Sequence, residues 1–153
     1  VICVGLGYDL HRLALGLPLW IGGVRIDSSY GCIAHSDGDV LVHALIDALV
    51  GPFHHTDIGS LFPDTDPRYR GARSLDLLAE VKDRFLGDIT IHNIDAVLVL
   101  DAPKLSPYRA TIAENLACVL GITPDVITLK AKTSEKTALN TISCWVVVLL
   151  EKD

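Results

Sequence analysis

The apolar residues of this chain change their spacing several times, and each change marks an element. Residues 1–8 are rich in β-formers around two glycines, which predicts a first strand. Leu19-Trp20-Ile21 and Val24-Arg25-Ile26 flank Gly22-Gly23, the pattern of a strand bent into a short hairpin at a glycine pair. Over 37–50 the period lengthens. Val40, Leu41, Ala44, Leu45, Ala48 and Leu49 fall on one helical stripe, which Gly51-Pro52 is expected to stop. Residues 53–71 have no period and carry Asp, Gly and Pro at short intervals, so they read as loop. Helical spacing returns over 73–86 through Leu75, Leu78, Val81 and Phe85. Residues 94–100 read as a buried strand, and Ser106-Pro107 opens a third helix that runs to Leu120-Gly121. Strands over 126–132 and 144–150 close the pattern. The alternation predicts an α+β fold, an α/β sandwich in which a mixed four-stranded sheet carries helices on one face, plus a short N-terminal hairpin. One domain, 1–153, accommodates it.

Composition narrows the function classes. Half of the 153 residues are hydrophobic and 21% are charged, which excludes a disordered tail or a low-complexity linker. The longest apolar run, 144–150, is far short of the ~20 residues a membrane-crossing helix needs, so no membrane span is expected. A mean hydropathy of +0.39 is high for a small domain, whose large surface-to-volume ratio calls for polar residues. Some apolar surface is therefore expected between subunits of a homo-oligomer. Thirteen Lys and Arg against nineteen Asp and Glu give a net charge of −6 without a basic run, so no nucleic-acid partner is expected. An acidic chain still binds an anion where metal ions and helix N-termini supply a local positive field. Cys3, Cys32, Cys118 and Cys144 form no CxxC pair and sit in apolar contexts, as buried free thiols would.

Candidate chemistry gathers in two places. The first is Gly5-Leu-Gly7-Tyr-Asp9-Leu-His11-Arg12. Its two glycines lack the third that a dinucleotide loop requires, whereas Asp9 and His11 alternate on an extended chain and share a side, as two ligands of one metal would. A solvated strand-end pair is the plainer reading of those two residues alone. The second is Ala34-His35-Ser36-Asp37-Gly38-Asp39, followed by His43 and Asp47. Asp39, His43 and Asp47 recur at helical spacing on one face, and Ser36 or Asp37 suits an N-cap. A histidine beside an apolar stripe needs a partner, either Asp39 or Asp47 or a metal. Asp9, His11 and His43 together make the three-ligand set of a catalytic zinc with one open position. The loop of Asp57-Ile58-Gly59 and Phe62-Pro63-Asp64-Thr65-Asp66 offers groups for hydroxyls, and Lys130 to Lys136 put cations, hydroxyls and Glu135 at a strand end, suited to a phosphate with a hard divalent ion.

Taken together, His35-Ser-Asp-Gly-Asp39 with His43, Asp57-Ile-Gly59, Phe62 to Pro67, Gly7-Tyr-Asp9-Leu-His11, Ala102-Pro103-Lys104 and Lys132-Thr133-Ser134-Glu135 resemble the 2-C-methyl-D-erythritol 2,4-cyclodiphosphate synthase family over essentially the whole chain. The resemblance implies a homotrimer with active sites between subunits and a step of the non-mevalonate route to isoprenoid precursors. The substrate would be 4-diphosphocytidyl-2-C-methyl-D-erythritol 2-phosphate, cyclised with release of CMP. It implies Zn2+ on Asp9, His11 and His43, and Mg2+ or Mn2+ on Glu135. His35 and Thr133 would be catalytic, donating to developing charge. Ser36 would orient the erythritol phosphate, Asp57, Gly59, Phe62, Pro63, Asp64, Thr65 and Asp66 would hold the methylerythritol, and Asp9, His11 and Ile58 would also be substrate-binding. Leu100, Ala102, Pro103, Lys104, Leu105 and Ser106, with Lys132, Ser134 and Glu135, would form the cytidine diphosphate pocket. The expected location is cytoplasmic in a bacterium and a plastid-type organelle in a eukaryote.

The chain departs from the family at three points. Residues 137–142 are shorter than the family's Gly-Phe-x-Gly-Arg segment and lack its aromatic and Arg; Tyr108 stands where His is common; and Phe53-His54-His55-Thr56 replaces a small apolar stretch, its histidines reading as surface residues. Two other functions compete: a zinc phosphoesterase that activates water at the open position, and a trimeric binding protein that keeps the metal sites without turnover.

Overall fold

Two glycines near the start of the chain set how closely helix and sheet approach. In the computed structural model, which describes residues 1–153, strand β1 (Ile2–Leu15) turns its odd positions inward and its even ones outward from Cys3 to Arg12. Helix α1 (Val40–His54) lies across the inward side. A Cβ at Gly7 would sit 1.7 Å from the Ala44 carbonyl oxygen, and one at Gly5 1.9 Å from that of Ala48. The glycine pair therefore serves helix contact and not a phosphate loop.

Beside β1 runs β7 (Thr141–Lys152), antiparallel from Ile2 opposite Glu151 to Arg12 opposite Thr141. Next come β5 (Ile89–Val99) and the edge strand β6 (Ile127–Lys132), the one parallel pair, joined by a crossover through helix α4 (Arg109–Leu120). On the other edge, β4 (Tyr30–Cys32) pairs with Leu13–Leu15 of β1, past the end of β7. The sheet thus has five strands and not four, in the order β4-β1-β7-β5-β6. Three residues around Gly31 are too few to show a period, and Gly31 is small because a Cβ there would lie 2.0 Å from the Pro18 carbonyl oxygen. Strands β2 (Leu19–Ile21) and β3 (Val24–Ile26) form the expected hairpin.

Helix α3 (Ser74–Phe85) packs on α1 and α4, so the helices cover one face of a mixed sheet, as the α+β expectation requires. The opposite face is bare and apolar. Val4, Leu6, Tyr8, Leu10, Trp145 and Val147 are 41% to 66% exposed there. No helix is long and apolar enough to cross a membrane.

The boundaries of α1 differ from expectation for chemical reasons. Its N-cap is Asp39, not Ser36 or Asp37. The Asp39 carboxylate accepts from the Val42 N–H at 3.1 Å and from Gly22 and Gly23 at 2.9 and 2.8 Å, pinning the hairpin turn to the helix. Complete burial pushes Asp39 up to about 6 against the pull of those bonds. Asp37 instead accepts from the first N–H of α3, that of Ser74, at 2.8 Å. Nor does α1 stop at Gly51-Pro52. A proline in the last turn removes one hydrogen bond, and the His55 N–H closes on Gly51 O at 3.0 Å with His55 in the left-handed region. His54 is half-buried rather than a surface residue, its Nε2 2.8 Å from the Phe85 carbonyl oxygen. The expected loop 53–71 contains a single-turn helix, α2 (Ile58–Leu61), and a 3-10 turn, Pro67–Tyr69. Of the thiols, Cys32 and Cys144 are buried, with Cys32 pushed up to about 12 by burial, while Cys3 is half-buried and Cys118 is exposed on α4 opposite Leu116 and Leu120.

Candidate active site

Asp9 and His11 reach inward from β1, and His43 meets them from the first turn of α1. The Asp9 Oδ2 lies 2.9 Å from His11 Nε2 and 3.1 Å from His43 Nδ1. One donor atom from each of the three falls within 4.8 Å of the others. His11 Nε2 is buried and makes no well-formed hydrogen bond despite its distance to Asp9, an orphaned lone-pair position aimed at the middle of the cluster. Burial alone would raise the Asp9 pKa, but the close approach and charge of His11 and His43 hold it well below the usual carboxylate range. Burial lowers His43, and Asp9 more than reverses that, raising it above its ordinary value. One oxygen and two nitrogens, partly buried and open on one side, are a donor set for a divalent metal.

The partners expected of His43 on its own helix are otherwise occupied. Asp39 caps, and Asp47 Oδ1 accepts from the Ile58 N–H at 2.7 Å, tying α1 to α2, with burial pushing Asp47 up. The second nitrogen of His43, Nε2, instead lies 2.9 Å from Ser74 Oγ and 3.3 Å from Ser36 Oγ.

The cluster opens on a cavity of about 560 Å³ that brings His35, Ser36, Ile58, Gly59 and Phe62 together with Asp64 and Thr65. Asp57, Pro63 and Asp66 do not line it. Asp57 caps α2 by accepting from the Ser60 N–H at 2.7 Å, and Asp66 is gripped through both oxygens by Arg68. Tyr69 and Arg70 also line the cavity, beyond the residues expected there, and Arg70 puts a cation on its wall from within the stretch that reads as loop.

A second pocket, about 200 Å³, holds Leu100, Pro103, Lys104, Leu105 and Ser106 with Lys132 and Thr133. Asp101, within the expected stretch from Leu100 to Ser106, joins them, as does Arg109, which lies outside it. Asp101 accepts from the Ser134 hydroxyl at 2.8 Å and from its N–H at 2.7 Å, locking the loop after β6 to the loop after β5. Ala102, Ser134 and Glu135 stand outside this pocket, and Glu135 is exposed, with the Thr133 hydroxyl 3.4 Å from its Oε1. Glu135 does not join the Asp9 cluster within the chain. Asp9 lies opposite Cys144, Cys144 opposite Leu98 and Leu98 opposite Ala131. That row spans three strand spacings, roughly 14 Å. The two pockets share one rim of the sheet without meeting.

The model of the YgbB family matches residues 2–151. A chloroplastic 2-C-methyl-D-erythritol 2,4-cyclodiphosphate synthase of Oryza sativa subsp. japonica is 52% identical over 134 residues, covering 87% of this chain; the chain spans 60% of that relative's length. The enzyme of the same name from Koribacter versatilis is 44% identical over 154 residues, with 99% of each chain covered. A 2C-methyl-D-erythritol-2,4-cyclodiphosphate synthase structure solved with CDP bound superposes with a TM-score of 0.92 at 43% identity, over 97% of this chain and 100% of that one. Those agreements run through both pockets and every strand of the sheet, and the chain belongs to the YgbB family, whose similar members carry the name 2-C-methyl-D-erythritol 2,4-cyclodiphosphate synthase.

Proposed function

We propose that this single domain, 1–153, cyclises 4-diphosphocytidyl-2-C-methyl-D-erythritol 2-phosphate to 2-C-methyl-D-erythritol 2,4-cyclodiphosphate and releases CMP, as a metal-dependent phosphorus–oxygen lyase of the non-mevalonate pathway. The observation that carries the reading is the Asp9–His11–His43 cluster opening on the larger cavity. An oxygen of the 2-phosphate bonds to the β-phosphorus. The bridging bond to the α-phosphate breaks, and its electron pair leaves on CMP. A phosphate monoester is largely ionised at neutral pH, so the residues need to position and neutralise rather than deprotonate.

Zn2+ on Asp9, His11 and His43, with Mg2+ or Mn2+ on Glu135, supplies Lewis-acid withdrawal of charge from the phosphates when bound. A magnesium-like ion takes most of its ligands from substrate phosphate and water, so a single exposed carboxylate suits it. Ser36 orients the erythritol phosphate at the cavity wall, and His35 donates to charge developing in the reaction. Gly59 and Phe62 to Asp66, with the loop begun by Asp57, receive the methylerythritol. Lys104 and Lys132 attract the cytidine diphosphate along Leu100 to Ser106, and the Thr133 hydroxyl donates to charge developing on its phosphates.

A site split over two pockets in one chain is completed by a neighbour. In a homotrimer, the Lys132 to Glu135 side of one protomer faces the Asp9 side of the next, and the bare apolar sheet face gives the copies a surface to bury. The chain's compartment follows its host: cytoplasm in a bacterium, a plastid-type organelle in a eukaryote.

Phosphorus NMR of the purified protein with this substrate, zinc and magnesium tests the reading. CMP and a cyclic diphosphate are expected from the native chain, with a loss of about 10³-fold or more in His43→Ala, the scale of several kcal/mol of metal assistance. Release of inorganic phosphate would make the protein a phosphoesterase. Unchanged substrate bound to a folded trimer would make it a binding protein.

A further inference from the structure

We propose that Ser74 and Asp37 form a relay that decides which nitrogen of His43 is free for a cation, making both of them positioning residues of the metal centre. The inference rests on the reading that Asp9, His11 and His43 hold a divalent metal, and it assigns a role to two residues outside that set.

Three donors converge on the Asp37 carboxylate. The Ser74 N–H reaches Oδ2 at 2.8 Å, the Asp39 N–H reaches Oδ1 at 3.1 Å, and the Ser74 hydroxyl also meets Oδ1. A carboxylate has no hydrogen to give, so the Ser74 hydroxyl must donate its own. What Ser74 Oγ then offers His43 Nε2, 2.9 Å away, is a lone pair. That lone pair holds a hydrogen on Nε2 whenever Nδ1 is taken by a cation. Ser36 Oγ, 3.3 Å from the same nitrogen, receives the Gly38 N–H at 3.3 Å and is a longer, weaker substitute. On the far side of the ring, Nδ1 faces the cluster 3.1 Å from Asp9 Oδ2, and it is this nitrogen that can give a lone pair to a cation while Nε2 keeps its hydrogen.

Ser74 is completely buried at the start of α3, where water cannot replace its hydroxyl. The relay also holds the ring in rotation, because Ser74 sits on a different helix from His43 and is clamped through both its N–H and its hydroxyl. Partners of this kind behind a metal-binding histidine fix tautomer and orientation, and losing them typically weakens metal affinity by about 10- to 100-fold.

The test measures zinc affinity by competition with a chromophoric chelator for the native protein and for Ser74→Ala, Asp37→Asn and His43→Ala, each checked for folding by circular dichroism and thermal melting. Weakening of about 10- to 100-fold in Ser74→Ala and Asp37→Asn, with a larger loss in His43→Ala, is the expected result. Affinities within twofold of native in both relay variants, with His43→Ala impaired, overturn the relay and leave the metal centre standing. Native affinity in His43→Ala overturns the metal reading and the relay with it. Nitrogen-15 NMR of the zinc-loaded native protein needs no variant: His43 should carry its hydrogen on Nε2, and a hydrogen on Nδ1 overturns the assignment.

Discussion

The two pockets differ in what holds their polar groups. Asp9, His11 and His43 project from β1 and α1, elements packed closely against each other, and Asp9 and His43 have partners that fix them. Thr133, Ser134 and Glu135 sit on the turn between β6 and β7. There Glu135, Lys136 and Asn140 adopt φ of +54°, +62° and +57° without being glycine. Each such residue costs on the order of 1 kcal/mol. The difference follows from the chemistry proposed for each. Three ligands that must converge on one ion need rigid supports, because a small displacement of any of them loosens the whole set. A lone carboxylate that completes its ion's shell with substrate oxygens tolerates an exposed loop.

Rigidity on the first side depends on helix and strand touching without side chains between them, and Gly7→Ala attacks that contact. The added methyl collides with the Ala44 carbonyl oxygen, a backbone atom that moves only if α1 moves. The expected cost is about 3 kcal/mol or more, in line with overpacking of a close contact. A fall in the melting midpoint should be accompanied by weakened zinc binding, since His43 rides on α1. On the second side, Glu135→Gln should leave the melting midpoint and zinc affinity within error, because the side chain is exposed and unpacked. Turnover is expected to drop about 100-fold through loss of the second cation, and steady-state kinetics over a magnesium series measures it. If Glu135→Gln lost zinc affinity too, the two pockets would be one preorganised unit and the contrast would be wrong.

What was legible in the sequence follows the same division. Elements with long periods were readable: the stripe from Val40 to Leu49 gave α1, and the run at Cys144–Leu150 marked the middle of β7. The pairing of Asp9 with His11 was readable because alternation on a strand is a short-range rule, and His43 was added to them only as the third donor that a metal set would need. Long-range polar pairing was not. Asp37 serves a helix that begins 37 residues later, and nothing at positions 36–39 tells which carboxylate caps which helix. β4 escaped because three residues carry no period, and the second half of β1 because its alternation continues through polar residues. Arg70 was hidden in a loop whose Asp and Pro residues drew attention to turns rather than to the wall of a cavity.

The subtlest expected effect concerns proton and metal at the same nitrogen. In the metal-free fold, Asp9 raises the His43 pKa above its ordinary 6.5, against a burial effect that lowers it. The folded state therefore binds this proton more tightly than the unfolded chain does. That contribution to stability is fully present below pH 6.5 and is lost as pH rises through the raised value. The melting midpoint of the metal-free protein should decline across that window, and His43→Gln should flatten the decline. With zinc present the sign reverses, because the ion takes the Nδ1 lone pair that the proton occupied, and binding tightens as pH rises. Melting curves with chelator and with saturating zinc should therefore diverge steadily above pH 6.5. Curves that run parallel would mean that His43 holds no metal, and the rigid pocket would then be a hydrogen-bonded knot with no greater claim on catalysis than the exposed loop.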